Sequence, residues 1–296
     1  MSKGVGLSVL SSVLFAVLYY YASLLWPLSG EQIFGWRMLL TLPCVSLFLW
    51  LSGDWRLLPA LWHKVRRRPW LLAGLPLSAA LVGVQLWLFM WAPLNGRGLP
   101  VSLGYFMMPL VLVLLGRFLY KERPSRLQWL AVACAAVGVA NELWQAGGVS
   151  WETLVVAIGY PFYFVWRRFL GSDNLGGLWL DMTLLLPAAS AFVLAGGEPL
   201  ALFAERPALI WLVIGLGMLS ALALVSYLIA TRYLPFSLFG LLGYVEPILL
   251  VFVSLLLGES IAAEEWPTYI AIWFAVGLLI LEGVRRVWSF RRYPFR

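Results

Sequence analysis

Residues 243–259 read "GYVEPILLVFVSLLLGE", which puts a glutamate, Glu246, beside a proline, Pro247, at the head of an apolar run. A near copy stands in the first half of the chain. Residues 104–122 read "GYFMMPLVLVLLGRFLYKE", with Gly104-Tyr105 ahead of Pro109 and Glu122 as Gly243-Tyr244 stands ahead of Pro247 and Glu259. Seven residues beyond each closing glutamate is a tryptophan, Trp129 or Trp266, that begins the next apolar run. The spacings differ by one residue before each proline and again before each glutamate. Five matched positions in one order nevertheless favour an internal duplication.

The solvent is a bilayer. The chain is 62% hydrophobic and 12% charged, whereas charged residues make up about 25% of a soluble domain. A hydrocarbon core about 30 Å thick takes roughly 20 helical residues. Runs of that length lie at 4–26, 31–51, 70–91, 99–120, 126–144, 150–168, 177–196, 207–230, 236–257 and 267–288. Lipid leaves no partner for unpaired peptide groups, so the predicted fold is an all-α integral membrane protein of ten transmembrane helices. The duplication pairs helix 4 with helix 9 and helix 5 with helix 10. Each half, 1–145 and 146–296, then holds five helices, and an odd number turns the second half over. Two inverted five-helix repeats are the plan on which many secondary transporters are built, with substrate bound between the halves.

Charge sets the expected orientation. With the N-terminus in the cytoplasm, all of the 21 Lys and Arg except Arg37, Arg97 and Arg206 fall on or near the cytoplasmic side, as the positive-inside rule requires. Both termini are then cytoplasmic, and the first run is expected to stay as a helix and not to act as a cleaved signal. The basic run His63 to Arg68 is expected to meet anionic lipid headgroups. The aromatic residues lie within apolar runs and not among the basic clusters, which argues against nucleic acid as a partner. Trp26, Trp50, Trp70, Trp151 and Trp288, at run ends, are expected to form an interfacial belt. The single histidine, His63, lies in a basic loop and the two cysteines, Cys44 and Cys134, lie in apolar runs. No metal site or cofactor is expected.

On these residues the chain resembles the drug/metabolite transporter superfamily, its EamA family, and within it the RarD proteins. The resemblance covers nearly the whole chain. It rests on Glu31 with Arg37, "WLFMWA" at 87–92, "SLGYFMMPL" at 102–110, "QWLAV" at 128–132, "DMTLLLPAA" at 181–189 and "ATR" at 230–232. It implies a permease or exporter of the bacterial inner membrane. This chain departs from the RarD pattern at Met108, where Asn is typical, at Pro100, often acidic, and at Glu246, usually Gly. The implied fold therefore carries over better than the ligand.

Candidate site residues are the polar groups inside the runs. Glu246, about ten residues into its span, should lie near the midplane, where an ionised group must be paired, face a cavity or be neutral. Arg37 offers a counter-charge for Glu246 or for an anionic solute, or it snorkels to the surface. Gln85, Tyr105, Tyr163 and Tyr244 are candidates for a cavity wall, or else pack as rings with one satisfied hydroxyl. Glu31 and Asp181 are candidate gate residues, and Pro109 and Pro247 candidate helix kinks. Small-residue faces, Ala131-Ala135-Gly138 and Ala271-Ala275-Gly277, permit close helix packing within the chain or in a weak homodimer.

The reading is a secondary transporter of a small organic solute or drug-like metabolite, working by alternating access and proton- or exchange-coupled. The alternatives are a non-enzymatic signalling or scaffold protein and a membrane-embedded enzyme. The sequence lacks a G-x-S-x-G elbow, a Walker loop, paired aspartates and an intramembrane histidine, so an enzyme is not expected.

Overall fold

The computed structural model describes residues 2–119, 121, 124–145, 149–195, 199–234, 239 and 242–292. All regular structure among them is helical. The helices are α1 (Ser2–Leu24), α2 (Gly30–Leu51), α3 (Leu57–Arg67), α4 (Leu71–Trp91), α5 (Gly98–Leu119), α6 (Arg126–Gln145), α7 (Trp151–Leu170), α8 (Leu175–Ala195), α9 (Pro199–Glu205), α10 (Ala208–Tyr233), α11 (Val245–Leu256) and α12 (Trp266–Arg292). Local chemistry sets several starts. Ahead of α2, Gln32 N–H donates to Ser29 Oγ (3.3 Å) while Ser29 N–H donates to Gln32 Oε1 (3.0 Å), a reciprocal cap. Ser125 and Gln128 repeat it ahead of α6 at 2.8 and 3.2 Å.

Among the described residues, seven helices are long and apolar enough to cross a bilayer: α1, α2, α4, α5, α8, α10 and α12. The spans expected at 126–144 and 150–168 form α6 and α7 but fall outside that set. The polar residues account for this: Arg126, Gln128, Asn141 and Glu142 on α6, and Glu152, Arg167 and Arg168 on α7. The span expected at 236–257 is not one unbroken helix. Gly243 N–H donates to the Phe239 carbonyl, Gly243 and Tyr244 form a turn, and α11 then runs only twelve residues. The gap expected around 53–69 is also ordered. It contains a short 3₁₀ turn at Asp54–Arg56 and the amphipathic α3.

Large apolar side chains such as Phe118, Trp211, Met218 and Leu256 project outward, a surface that belongs in lipid. Trp26, Trp50, Trp70 and Trp151 are all exposed, and the side chain of Trp288 lies outside the described residues.

The chain divides into two compact units. The first comprises residues 1–16, 96–161 and 226–296. In it α6 packs along α12 and α5 along α11. The α6–α12 contact is made by the small residues: Ala131 and Ala135 sit with Leu110 and Ala275 in one buried cluster. A Cβ on Gly138 would lie 3.1 Å from the Thr268 carbonyl and 3.2 Å from Ile272. Close backbone approach lets Thr268 Oγ1 donate to the Gly138 carbonyl at 3.1 Å. A second cluster gathers Leu99, Leu103, Phe106, Tyr244, Val251, Tyr269, Ile272 and Val276.

The other unit comprises residues 17–95 and 162–225. Here α2 packs along α8, α4 lies against both, and α3 rests on α8. Trp179 Nε1–H donates to Ser46 Oγ (2.7 Å) across the α2–α8 seam, and Trp166 Nε1–H donates to the Gly74 carbonyl (2.9 Å).

Candidate functional site

Glu246 is the second residue of α11 and is half-buried. It lies in a first turn, not ten residues along a continuous helix. That setting differs physically from mid-helix, because first-turn N–H groups have no intrahelical acceptor and the helix dipole favours a negative charge. Pro247 is the third residue of α11, where its missing N–H costs no helical hydrogen bond. Pro109 lies inside α5. Tyr244 precedes α11 and its ring is buried in the Leu99–Val276 cluster.

The same unit collects phenols around Glu246. The Glu246 carboxylate lies within electrostatic reach of the Tyr227 hydroxyl of α10, and Tyr160 of α7 lies near the same phenol. Tyr160 in turn accepts from the hydroxyl of Tyr105 on α5 (3.4 Å), their ring centres 5.7 Å apart. Tyr227 is held edge-on by Phe15 and Phe239, at 6.4 and 4.9 Å between centroids. Of the predicted residues, Glu246 and Tyr105 lie in the same unit, Tyr105 bonded to Tyr160 and Glu246 near Tyr227, two phenols that the sequence did not single out. A signal for Tyr160 existed: it stands three residues before Tyr163 across Pro161, so the two share a helix face.

In the other unit, a second polar cluster forms around Asp181 of α8, which is 1% exposed. Tyr163 of α7 donates to Asp181 Oδ2 at 2.9 Å and accepts from Arg167 Nη1 at 3.0 Å. Arg167 Nε lies 3.8 Å from the same Oδ2, too long for a strong hydrogen bond, so the phenol carries the tight link between cation and carboxylate. The guanidinium also donates to the carbonyls of Ser172 and of Asn174, the latter at 2.6 Å, which fixes the α7–α8 turn. Arg167 had counted in the sequence only as a topological charge. Its spacing of four from Tyr163 was the available signal.

Arg37 on α2 does not snorkel. It is 4% exposed, donates from Nε to Ser220 Oγ of α10 (3.0 Å) and stands 5.4 Å from the centre of the Phe89 ring. Arg37 belongs to one unit and Glu246 to the other. Gln85 on α4 is also buried, at 2%. Glu31, in the first turn of α2, is half-buried and accepts from Trp87 Nε1–H at 3.3 Å.

One carboxylate does structural work that the sequence did not announce. Glu259, the closing glutamate of the opening stretch, accepts the N–H of Gly98 (2.7 Å) and of Leu99 (2.8 Å), so it caps α5 from a distance in sequence. Its counterpart Glu122 lies outside the described residues.

Set beside known proteins, the chain matches the model of the EamA-like transporter family over residues 2–141. It is 42% identical to an uncharacterized transporter of Pasteurella multocida over 97% of this chain and 98% of the relative. It is 45% identical to the chloramphenicol-sensitive protein RarD of Pseudomonas aeruginosa, covering 96% and 95%. The chain belongs to the EamA-like transporter family. At 29% identity it is also similar to the protein RarD of Salmonella typhi, over 95% of this chain and 96% of that one. A solved crystal structure aligns over 95% of this chain and 98% of its own with a TM-score of 0.55, at 16% identity, and shares the fold alone. Family and helices together make this a multi-pass membrane protein of a transporter family, RarD-like in sequence.

Proposed function

We propose that the protein is a secondary transporter that moves a small organic solute across the bacterial inner membrane by alternating access, with Glu246 as its proton-coupling carboxylate. The observation that carries this is the chain of groups in one unit: Glu246 at a helix start, Tyr227 beside it, and Tyr160 joined to Tyr105. Partial burial opposes the charge on Glu246 and the helix start favours it, two opposing influences that a moving cavity can rebalance. Phenols alongside offer hydrogen bonds to whichever form is present.

What supports an inverted duplication divided near residue 145 is the pairing of its mates. In sequence order the spans formed by α2 and α8, α5 and α11, and α6 and α12 are second with seventh, fourth with ninth and fifth with tenth, and each pair packs together. The caps ahead of the two tryptophans match as well. Ser125 N–H donates to Gln128 (2.8 Å) and Ala262 N–H to Glu265 (3.0 Å), each donor four residues before its tryptophan.

Glu246→Gln keeps the shape and removes the titration. In proteoliposomes that variant should insert and bind solute, yet lose uptake driven by a proton gradient. Transport at the wild-type rate with an unchanged pH profile makes Glu246 a structural hydrogen-bonding group. Coupling is then sought at Asp181, bridged to Arg167 through Tyr163, or at Glu31.

A further inference from the structure

α3 is too short to cross a bilayer and is divided along its length. Leu61 and Val65 are buried, whereas Trp62, His63, Arg66 and Arg67 face out. Such a helix lies in the plane of the interface, apolar side down. Between α3, α4 and α8 lies an open groove of about 590 Å³, walled by Leu58, Trp62, Leu72, Pro76, Trp179 and Leu184. Trp55 packs edge-on against Trp179 at 5.7 Å in the same wall. At the rim, the Arg66 guanidinium stands 5.5 Å from the centre of the Trp62 ring. A cation is therefore held against a wall residue, with Arg67 next to it on the exposed side.

We propose that this groove is a binding site for one anionic phospholipid, its acyl chain along the tryptophan and leucine wall and its phosphate at Arg66 and Arg67. The volume falls within the roughly 300–1,000 Å³ of small-molecule sites, room for one acyl chain with the headgroup left at the rim. Charge complementarity selects the occupant. A zwitterionic lipid uses the wall but gains little from the arginines, and a free phosphate uses the arginines but not the wall. Neither the residues nor the geometry is shared with the transport reading, so this site stands or falls without it.

The test uses the full-length protein purified in detergent and stripped of lipid. Phosphatidylglycerol should bind as a single retained molecule in native mass spectrometry and raise the melting temperature, with phosphatidylcholine and glycerol phosphate far weaker. A basic residue at the membrane surface contributes about fivefold in affinity. Arg66→Gln with Arg67→Gln should therefore reduce the preference for phosphatidylglycerol over phosphatidylcholine by about tenfold or more. Leu72→Trp, on an exposed wall position, should block lipid retention while the lipid-free melting temperature stays at the wild-type value. Arg117→Gln, an exposed arginine of α5, should change nothing. Equal stabilisation by phosphatidylcholine overturns the proposal in favour of ordinary lipid solvation. Equal stabilisation by glycerol phosphate overturns it in favour of a bare anion site, and an unaltered preference in the double arginine variant overturns it outright.

Discussion

At Gly98 a side chain has nowhere to go. A Cβ there would collide with Ser254 Oγ and stand 2.7 Å from the Glu259 carboxylate that caps the helix start. Gly98→Ala should therefore displace the cap and overpack the α5–α11 seam, a loss of about 1–3 kcal/mol that lowers the melting temperature in detergent. Glu259 itself has its pKa raised above the ordinary 4.5, because partial burial outweighs the two N–H donors and the charge of Arg97. A carboxyl whose folded pKa is raised binds its proton more tightly in the native state. Its contribution is thus complete below the ordinary value and is lost as pH rises through the raised one. Melting curves of the wild type should fall more steeply across that window than those of Glu259→Gln, and parallel curves would refute the assignment. At the other cluster, Tyr163→Phe removes the bridge and leaves Asp181 and Arg167 to a 3.8 Å contact, at a cost of about 1–3 kcal/mol. Asp181→Asn removes the counter-charge of the buried Arg167 guanidinium, which keeps its bonds to Tyr163 and two carbonyls, and should cost more, up to about 3–5 kcal/mol, as thermal unfolding would register.

Between residue and element, the sequence could be read where a pattern was local and failed where a partner was remote. The small faces of α6 and α12 were visible from their spacing, and the helices meet on Ala131, Ala135, Gly138, Ala271 and Ala275, whereas Gly277 is exposed and lies off the contact. Gly138→Leu should separate the pair and destabilise the protein, whereas Gly277→Ala, with nothing within 4 Å of the added carbon, should leave melting unchanged. The break ahead of α11 was hidden, since Gly243 and Pro247 mark weak points in a helix without telling which one yields. α3 escaped because an interfacial helix has low average hydropathy and reads as a loop between spans. Glu246 and Tyr105 were named from their depth alone. Tyr160 and Tyr227 were missed because the helices that bring them together are far apart in sequence, and Arg167 because a charge near a helix end is counted first as topology.

For the whole molecule, orientation is the most direct test. A cysteine placed at Glu264 in a chain whose native cysteines are replaced should react with an impermeant reagent outside intact cells, and one at Arg67 should not. The reverse labelling would invert the topology. The family was legible from motifs that keep their spacing, while the solute is written in no motif and depends on the shape of a cavity. The pairing of α6 with α12, and of α5 with α11, has a further consequence during synthesis. α6 leaves the ribosome long before residue 266 is made; at about 5–20 residues per second the wait is on the order of ten seconds. Throughout that interval its alanine and glycine face is open to lipid or to other insertion intermediates. Residues 1–145 made alone should therefore be cleared by membrane proteases, and the same fragment made together with 146–296 should persist, which pulse-chase of the two fragments would reveal.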